Sequence, residues 1–245
     1  MKKFLCFLSV SLIFVLYSFA DDSAIFNQIS NAESAFKNGD YNKTIEIYET
    51  LIQVEKINNP YFYYNLSNAY YRKGDIGFAV LNIEKAYKLS PRDKDIRNNR
   101  RYLLAMTGQT ADDGLIESAT ALFSLNEITI IASASVILLI LSLTAFLFFR
   151  RRFIKQALSL FIILSILFCS LAALKAFVVL KDRAVVLSAS VLKSGPKKDN
   201  AVLFNIPSAK IVSVLSSVDD WSRISFKDND IVIDGWIENN NIGKF

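Results

Sequence analysis

Histidine is absent from this chain, and cysteine occurs only as Cys6 and Cys169, both inside apolar runs. The first absence excludes Ser–His–Asp and Cys–His triads and every zinc site that needs an imidazole. The second excludes a disulfide within the polar parts, so those parts can fold in any redox compartment. No phosphate-binding loop and no Gly-rich dinucleotide fingerprint occurs. Ser190-Val191-Leu192-Lys193 matches the Ser-x-x-Lys of acyl-enzymes, but it falls in an expected strand and lacks the companion motifs. These absences point to a chain that is not an enzyme, with no catalytic residues, no metal and no cofactor.

Long apolar runs are what the chain does have. Two of them, Ile128–Phe149 and Ala157–Leu180, flank a basic turn. Each is longer than the ~20 residues a helix needs to cross a bilayer, neither contains proline, and Lys175 is the one charge within them. The expectation is a transmembrane hairpin of helices 127–149 and 157–180. Loops rich in Lys and Arg stay cytoplasmic, so Arg150, Arg151, Arg152 and Lys155 in the loop 150–156 set the topology and place both flanking regions outside. The formal net charge of +5 gathers at this turn and at Lys2 and Lys3. With no basic stripe elsewhere, nucleic acid is not an expected partner.

Residues 1–20 read as a signal peptide: a basic start, an apolar run, and Ser18-Phe19-Ala20 before an acidic pair. Residues 21–106 read as helix with an internal repeat. Phe36-Lys37-Asn38-Gly39-Asp40-Tyr41 aligns with Tyr71-Arg72-Lys73-Gly74-Asp75-Ile76 at a period of 35. The second copy resembles the tetratricopeptide (TPR) family through Tyr63, Leu66, Ser67, Tyr70, Gly74, Asp75, Ala79, Ala86 and Pro91. The first keeps Ala32, Ala35, Gly39, Asp40, Tyr41 and Tyr48, but has Thr44 in place of Ala. Repeats at about 25–59 and 60–93 are therefore expected, then a capping helix 93–106 whose Arg97, Arg100 and Arg101 read as a solvated face. That resemblance implies a concave groove lined by Phe26, Ile29, Glu33, Phe36 and Lys37 in the first repeat, and by Tyr61, Tyr64, Asn68, Tyr71 and Arg72 in the second. The carboxylate-clamp pattern of chaperone-binding members is mostly absent, because Ile29 and Glu33 stand where Lys and Asn are needed. Residues 107–126 read as a linker with a short amphipathic helix behind Asp112-Asp113.

Residues 181–245 change character. Short β-branched runs at Val185–Leu187, Ser190–Lys193, Lys210–Leu215, Trp221–Phe226 and Ile231–Ile237 alternate with turns, which suits a small closed barrel. Ala184-Val185-Val186, Lys193-Ser194-Gly195-Pro196, Leu203-Phe204, Lys210–Leu215, Trp221-Ser222-Arg223-Ile224 and Gly235-Trp236-Ile237 resemble bacterial SH3-like domains in their order. Ile206-Pro207-Ser208-Ala209 departs from that pattern, since an acidic residue and glycine usually stand there. Trp221 and Trp236 read as core or barrel-edge aromatics.

The fold class expected is a multidomain membrane protein: an all-α TPR solenoid, a two-helix transmembrane hairpin and a small all-β SH3-like barrel. This order resembles BatE-type proteins of bacterial aerotolerance operons. The resemblance implies a membrane-anchored scaffold of the inner (cytoplasmic) membrane with both soluble domains in the periplasm. Its implied partners are von Willebrand A-domain membrane proteins and, indirectly, a MoxR-type ATPase. A cell-wall anchor or sensor that binds peptidoglycan through the SH3-like domain is the alternative.

Overall fold

A computed structural model describes residues 24–54, 56–110, 125–149, 151–179, 182–228 and 231–245. The expected signal peptide, the amphipathic helix of the linker, and Arg150 lie outside the described residues. Five helices come first: α1 over 24–37, α2 Tyr41–Gln53, α3 Pro60–Lys73, α4 Ile76–Leu89 and α5 Lys94–Met106. Two long helices follow, α6 Leu125–Phe149 and α7 Arg152–Val179, and then seven strands.

The turns that join α1 to α2 and α3 to α4 are alike bond for bond. Gly39 and Gly74 adopt φ of +78° and +93°, a region glycine enters without the Cβ penalty. In each turn the glycine N–H donates to a carbonyl three residues back, and the next N–H donates to one five back. The aspartates that follow part ways. Asp40 caps α2 by accepting from the Lys43 N–H at 3.1 Å, whereas the Asp75 carboxylate turns to Lys73 at 3.2 Å.

Thr44, where an Ala was expected, also has a reason. Ser67 on α3 donates to the Ala79 carbonyl on α4 at 2.8 Å. At the corresponding crossing of α1 and α2, Thr44 donates to the Ala32 carbonyl at 3.4 Å. The hydroxyl has moved to the opposite helix, and a small residue still faces it.

Helices α6 and α7 are long and apolar enough to cross a membrane, and only 17% and 6% of their most apolar stretches are buried. Core helices of a water-soluble protein would be covered on most sides. The two helices pack on each other, and four of their buried residues, Ala132, Ser135, Ser142 and Ser165, are small; small residues let backbones approach closely where lipid supplies no hydrophobic drive. α7 begins at Arg152, so Arg152 and Lys155 stand in its first turns rather than in the expected loop 150–156. Long basic side chains at a helix end can reach the interface while their backbone stays helical.

The C-terminal region is one antiparallel sheet in the order β3-β2-β6-β5-β4-β1-β7. Its strands are β1 Arg183–Val186, β2 Ser190–Lys193, β3 Val202–Ile206, β4 Ile211–Val218, β5 Trp221–Asp228, β6 Ile231–Glu238 and β7 Ile242–Lys244. The sheet is bounded by β3 and β7, and no ladder joins these two among the described residues. β3 and β7 were not among the five strand runs read from the sequence. β7 is only three residues long and contains Gly243, so its pattern is too short to read; it forms because β1 offers it a ladder from Val186↔Ile242 to Ala184↔Lys244.

The helical region and the sheet share a core. Side chains alternate across a strand, so Ala184 and Val186 face the sheet's own interior with Leu192, Val212, Ile224 and Ile237. Val185 faces the other way, into a cluster with Leu81, Ile83, Leu103 and Leu104, joined by Ala209 and flanked by Leu187, Ile211 and Phe245. Gly77 lies under the Leu187 backbone, and Gly243 under the Leu81 side chain. Beyond α5, the Gln109 side chain donates to the Ala209 carbonyl at 2.8 Å and accepts from the Ile211 N–H at 2.9 Å. Ala209 ends the stretch that departs from the SH3-like pattern, and it holds φ +66°, a conformation glycine adopts freely. Bonds from its N–H to Val186 and from Gln109 to its carbonyl keep it there.

Candidate functional site

The face shared by α1, α3 and α5 carries most of the residues singled out in the helical region. α3 starts with Pro60 behind an Asn59 cap whose side chain accepts from the Tyr61 N–H. This start fixes the helical phase in which Tyr61, Asn68 and Tyr71 look toward α5. Three bonds then run across like rungs. The Tyr61 hydroxyl donates to Asp93 at 3.1 Å, Asn99 Nδ2 donates to Asn68 Oδ1 at 2.8 Å, and the hydroxyls of Tyr71 and Tyr102 meet at 2.8 Å. The rings of Tyr71 and Tyr102 stand edge to face, centroids 5.8 Å apart, a favoured aromatic geometry.

Charge tunes these phenols. The hydrogen bond to Asp93 pushes Tyr61 above the ordinary phenol range. Its bond to Tyr71 does the same for Tyr102, while the Arg72 charge opposes it. Asp93 itself is held below the usual carboxylate range, chiefly by the Ile96 N–H, with desolvation opposing and the Tyr61 hydroxyl and Asp95 N–H assisting. At neutral pH Tyr61 and Tyr102 therefore stand as neutral hydroxyls, Tyr61 beside the ionised Asp93 cap.

On α1, Phe26 is 71% exposed. Ile29 and Phe36 are half-buried against the helical core, and Glu33 and Lys37 are exposed. Tyr64 is half-buried and Arg72 exposed. A cleft of about 150 Å³ brings Glu33, Phe36, Lys37 and Asn68 together with Thr44, Tyr48 and Asn65. The last three were missed by the sequence reading. Tyr48 and Thr44 belong to α2, the helix behind the face, and Asn65 lies three residues before Asn68. The available signal was a pair of polar residues one turn apart, Asn65 and Asn68, on an otherwise aromatic helix. Tyr48 is held above the ordinary phenol range by burial and by the Glu33 charge, with the Asn65 bond opposing.

No protein-family model matches this sequence, and no curated protein matches it. The functional reading therefore rests on the chain's own chemistry.

Behind the face lies a second polar group. Tyr70 donates to Glu49 at 2.6 Å, and burial followed by that carboxylate drives its pKa upward. Lys85 stands over the Tyr63 ring at 5.7 Å, and burial lowers its pKa, partly offset by Glu49. Arg100 corrects the reading of α5 as a solvated face. Its guanidinium is buried against Glu84 at 2.7 Å, with side-chain exposures of 8% and 2%, and stacks on the Tyr87 ring at 4.3 Å. A charge leaves water when its partner leaves with it, and α4 supplies that partner. Arg97 and Arg101 are exposed.

In the sheet, Trp221 is buried and Trp236 half-buried. Lys193 pairs with Trp236 across the β2–β6 ladder and lies 5.9 Å from the Trp221 ring. Ser190 donates to the Ser188 carbonyl, and three residues along a strand it faces opposite to Lys193, so the Ser-x-x-Lys pattern assembles no acyl-enzyme pair. Arg151 and Arg152 at the membrane turn are exposed, and Lys155 stands 5.9 Å from the Phe146 ring. Among the described residues, no group of three or more His, Cys, Asp or Glu is arranged to hold a metal ion.

Proposed function

We propose that this protein is a non-catalytic, membrane-anchored scaffold whose α1–α3–α5 face binds a segment of a partner protein. The observation that carries it is the exposed set of Phe26, Tyr61, Arg72 and Tyr102 beside the half-buried Tyr71, with the three tyrosines held by cross-helix hydrogen bonds. Aromatics and arginine are the residue types that anchor interfaces, and rigid tyrosines lose little entropy when they bind. In this reading the helices form a TPR array and the sheet an SH3-like domain. The equivalent Gly-Asp turns and the matching small-residue crossings support the first assignment. The run of seven short antiparallel strands from Arg183 to Lys244 supports the second.

Both domains lie on the same side of the membrane in this reading. Two crossings return the chain to the side it left, and the core shared through Val185 and Ala209 supports it. The basic residues around Arg151 and Arg152 support the outer side as that side. On the resemblance of the domain order to BatE-type proteins, the partners in this reading are von Willebrand A-domain membrane proteins of a Bat-type complex, with a MoxR-type ATPase acting indirectly.

Affinity purification of tagged full-length protein from mild-detergent membranes tests this. Such partners co-purify with the wild type and are lost in Phe26→Ser/Arg72→Glu, which changes exposed side chains only; recovery unchanged by that pair refutes the face. Tyr64 and Tyr71 are poorer probes because both also pack against the core.

A second reading, a cell-wall anchor, rests on the open cleft between Ser190, Val191, Asn205 and Pro207. Its test is sedimentation of the full-length protein with purified sacculi, since the sheet shares its core with the helices. Protein that stays in the supernatant removes it.

A further inference from the structure

The cleft between α1, α2 and α3 holds hydrogen-bonding groups that the fold leaves half used. Tyr48 is 1% exposed, and its hydroxyl has one protein partner, Nδ2 of Asn65 at 2.9 Å, for which it is the acceptor. The phenol proton finds no acceptor among the described residues, and Oδ1 of Asn65 finds no donor. Turning the Asn65 amide over only exchanges the roles: Tyr48 then donates to Oδ1, and Nδ2 and a phenol lone pair are left over. Either way, one donor and one acceptor stand side by side. One turn further on, Asn68 spends its Oδ1 on Asn99 and keeps its own N–H pair. The Tyr48 hydroxyl is buried, whereas Asn65 and Asn68 are half-buried in a cleft open to water, so a ligand that displaces this water must reproduce its hydrogen bonds.

Chemistry narrows the ligand. A carboxamide carries an acceptor oxygen and a donor NH2 group on one carbon, the complement of the Tyr48–Asn65 pair. Glu33 and Lys37 flank the cleft four residues apart on α1, so opposite charges cancel there and neither a carboxylate nor an ammonium is favoured. Phe36 supplies an apolar wall, and the Thr44 hydroxyl is already engaged with the Asp40 and Ala32 carbonyls. At about 150 Å³ the space is enough for a short side chain, and its polar lining suits a polar one.

We propose that this cleft is a carboxamide subsite that takes one Asn or Gln side chain of an extended partner segment. The proposal rests on the partner-binding reading of the same face and adds what the partner must present there. The test uses full-length protein in nanodiscs and a positional-scanning library of acetylated, amidated, fluorescein-labelled hexapeptides, read by fluorescence anisotropy. At one position Gln or Asn binds at least tenfold more tightly than Glu, Lys or Leu. Asn65→Leu and Tyr48→Phe each erase that preference at unchanged thermal midpoint, and Asn65→Asp, now acceptor only, shifts it toward Lys. If peptides bind without a carboxamide preference at any position, or keep it in Asn65→Leu, the subsite is refuted and the partner-binding face stands. If no peptide binds at all, both fall.

Discussion

Replacing Gly77 with alanine should separate two domains that the wild type holds as one unit. Gly77 sits in the first turn of α4, and a Cβ there would lie 2.1 Å from the Leu187 carbonyl oxygen and 2.7 and 2.8 Å from its C and Cα atoms. All three are backbone atoms, so no side-chain rotation relieves the contact. Two effects oppose each other. Alanine is the better helix former by about 1 kcal/mol, which alone would stabilise α4. Overpacking a close contact costs about 1–3 kcal/mol and more against backbone, and at this separation the clash wins. Relief comes by lifting β1 and β7 from α4, which exposes Val185, Leu187 and Phe245. Set against the helix gain of ~1 kcal/mol, a clash of about 3 kcal/mol leaves a net loss of about 2 kcal/mol, which shifts the docking equilibrium by roughly 30-fold.

The two tryptophans, Trp221 and Trp236, both lie in the sheet, so their fluorescence reports its unfolding alone. Ellipticity at 222 nm follows mainly the helices. In the wild type the two signals should melt together, because one core spans both regions. In Gly77→Ala the midpoints should part by several degrees. Coincident midpoints at or above the wild-type temperature would refute the clash and leave only the gain in helix propensity.

Two further outcomes follow from buried and capping charges. Arg100→Ala strands Glu84 in the core and should destabilise the helical region by about 3–5 kcal/mol, while Glu84→Leu/Arg100→Met should cost far less; equal losses in chemical denaturation would show that the pair is not buried as a unit. Asp93 caps α5 by accepting from the Asp95 and Ile96 N–H groups, and its folded pKa lies below the ordinary value. Its contribution is therefore complete above an unfolded pKa of about 3.9 and is lost as pH falls through the lower, folded value. Asp93→Ala should lose roughly 1 kcal/mol at neutral pH, and the gap to wild type should close as pH falls below about 4. A gap that stays constant across that range in thermal melts would remove the charge from the explanation.

Several features could be read without coordinates because they depend on neighbours along the chain. The Gly-Asp turns follow from glycine's access to positive φ, and the two apolar helices from length and the absence of proline. The strand runs from Trp221 and Ile231 follow from β-branched alternation. The candidate face was readable in part: Asn68 and Tyr71 follow from helical phase once the repeat is aligned. Tyr48 was not, because it approaches the cleft from the helix behind the face. Arg100 was misread for a related reason. Its partner Glu84 stands on another helix, and a lone arginine among polar neighbours gives no sign that a carboxylate and an aromatic ring await it.

Sequence alone thus determined the local elements: helical hairpins with glycine turns, two helices long enough for a bilayer, and a β-rich end. Tertiary structure decided how they meet. Gly77 inside a helix looks like a weak point until the Leu187 carbonyl fills the space that a side chain would occupy. The apolar run of Ala184, Val185 and Val186 looks like an ordinary strand until both of its faces are found covered, one by the sheet and one by α4. Backbone preferences act between residues a few positions apart, so they are legible in order along the chain. Close approach, burial of a charge pair and the sharing of a core depend on residues up to 100 or more positions apart, as Gln109 and Ala209 are, and only the folded chain brings these into contact.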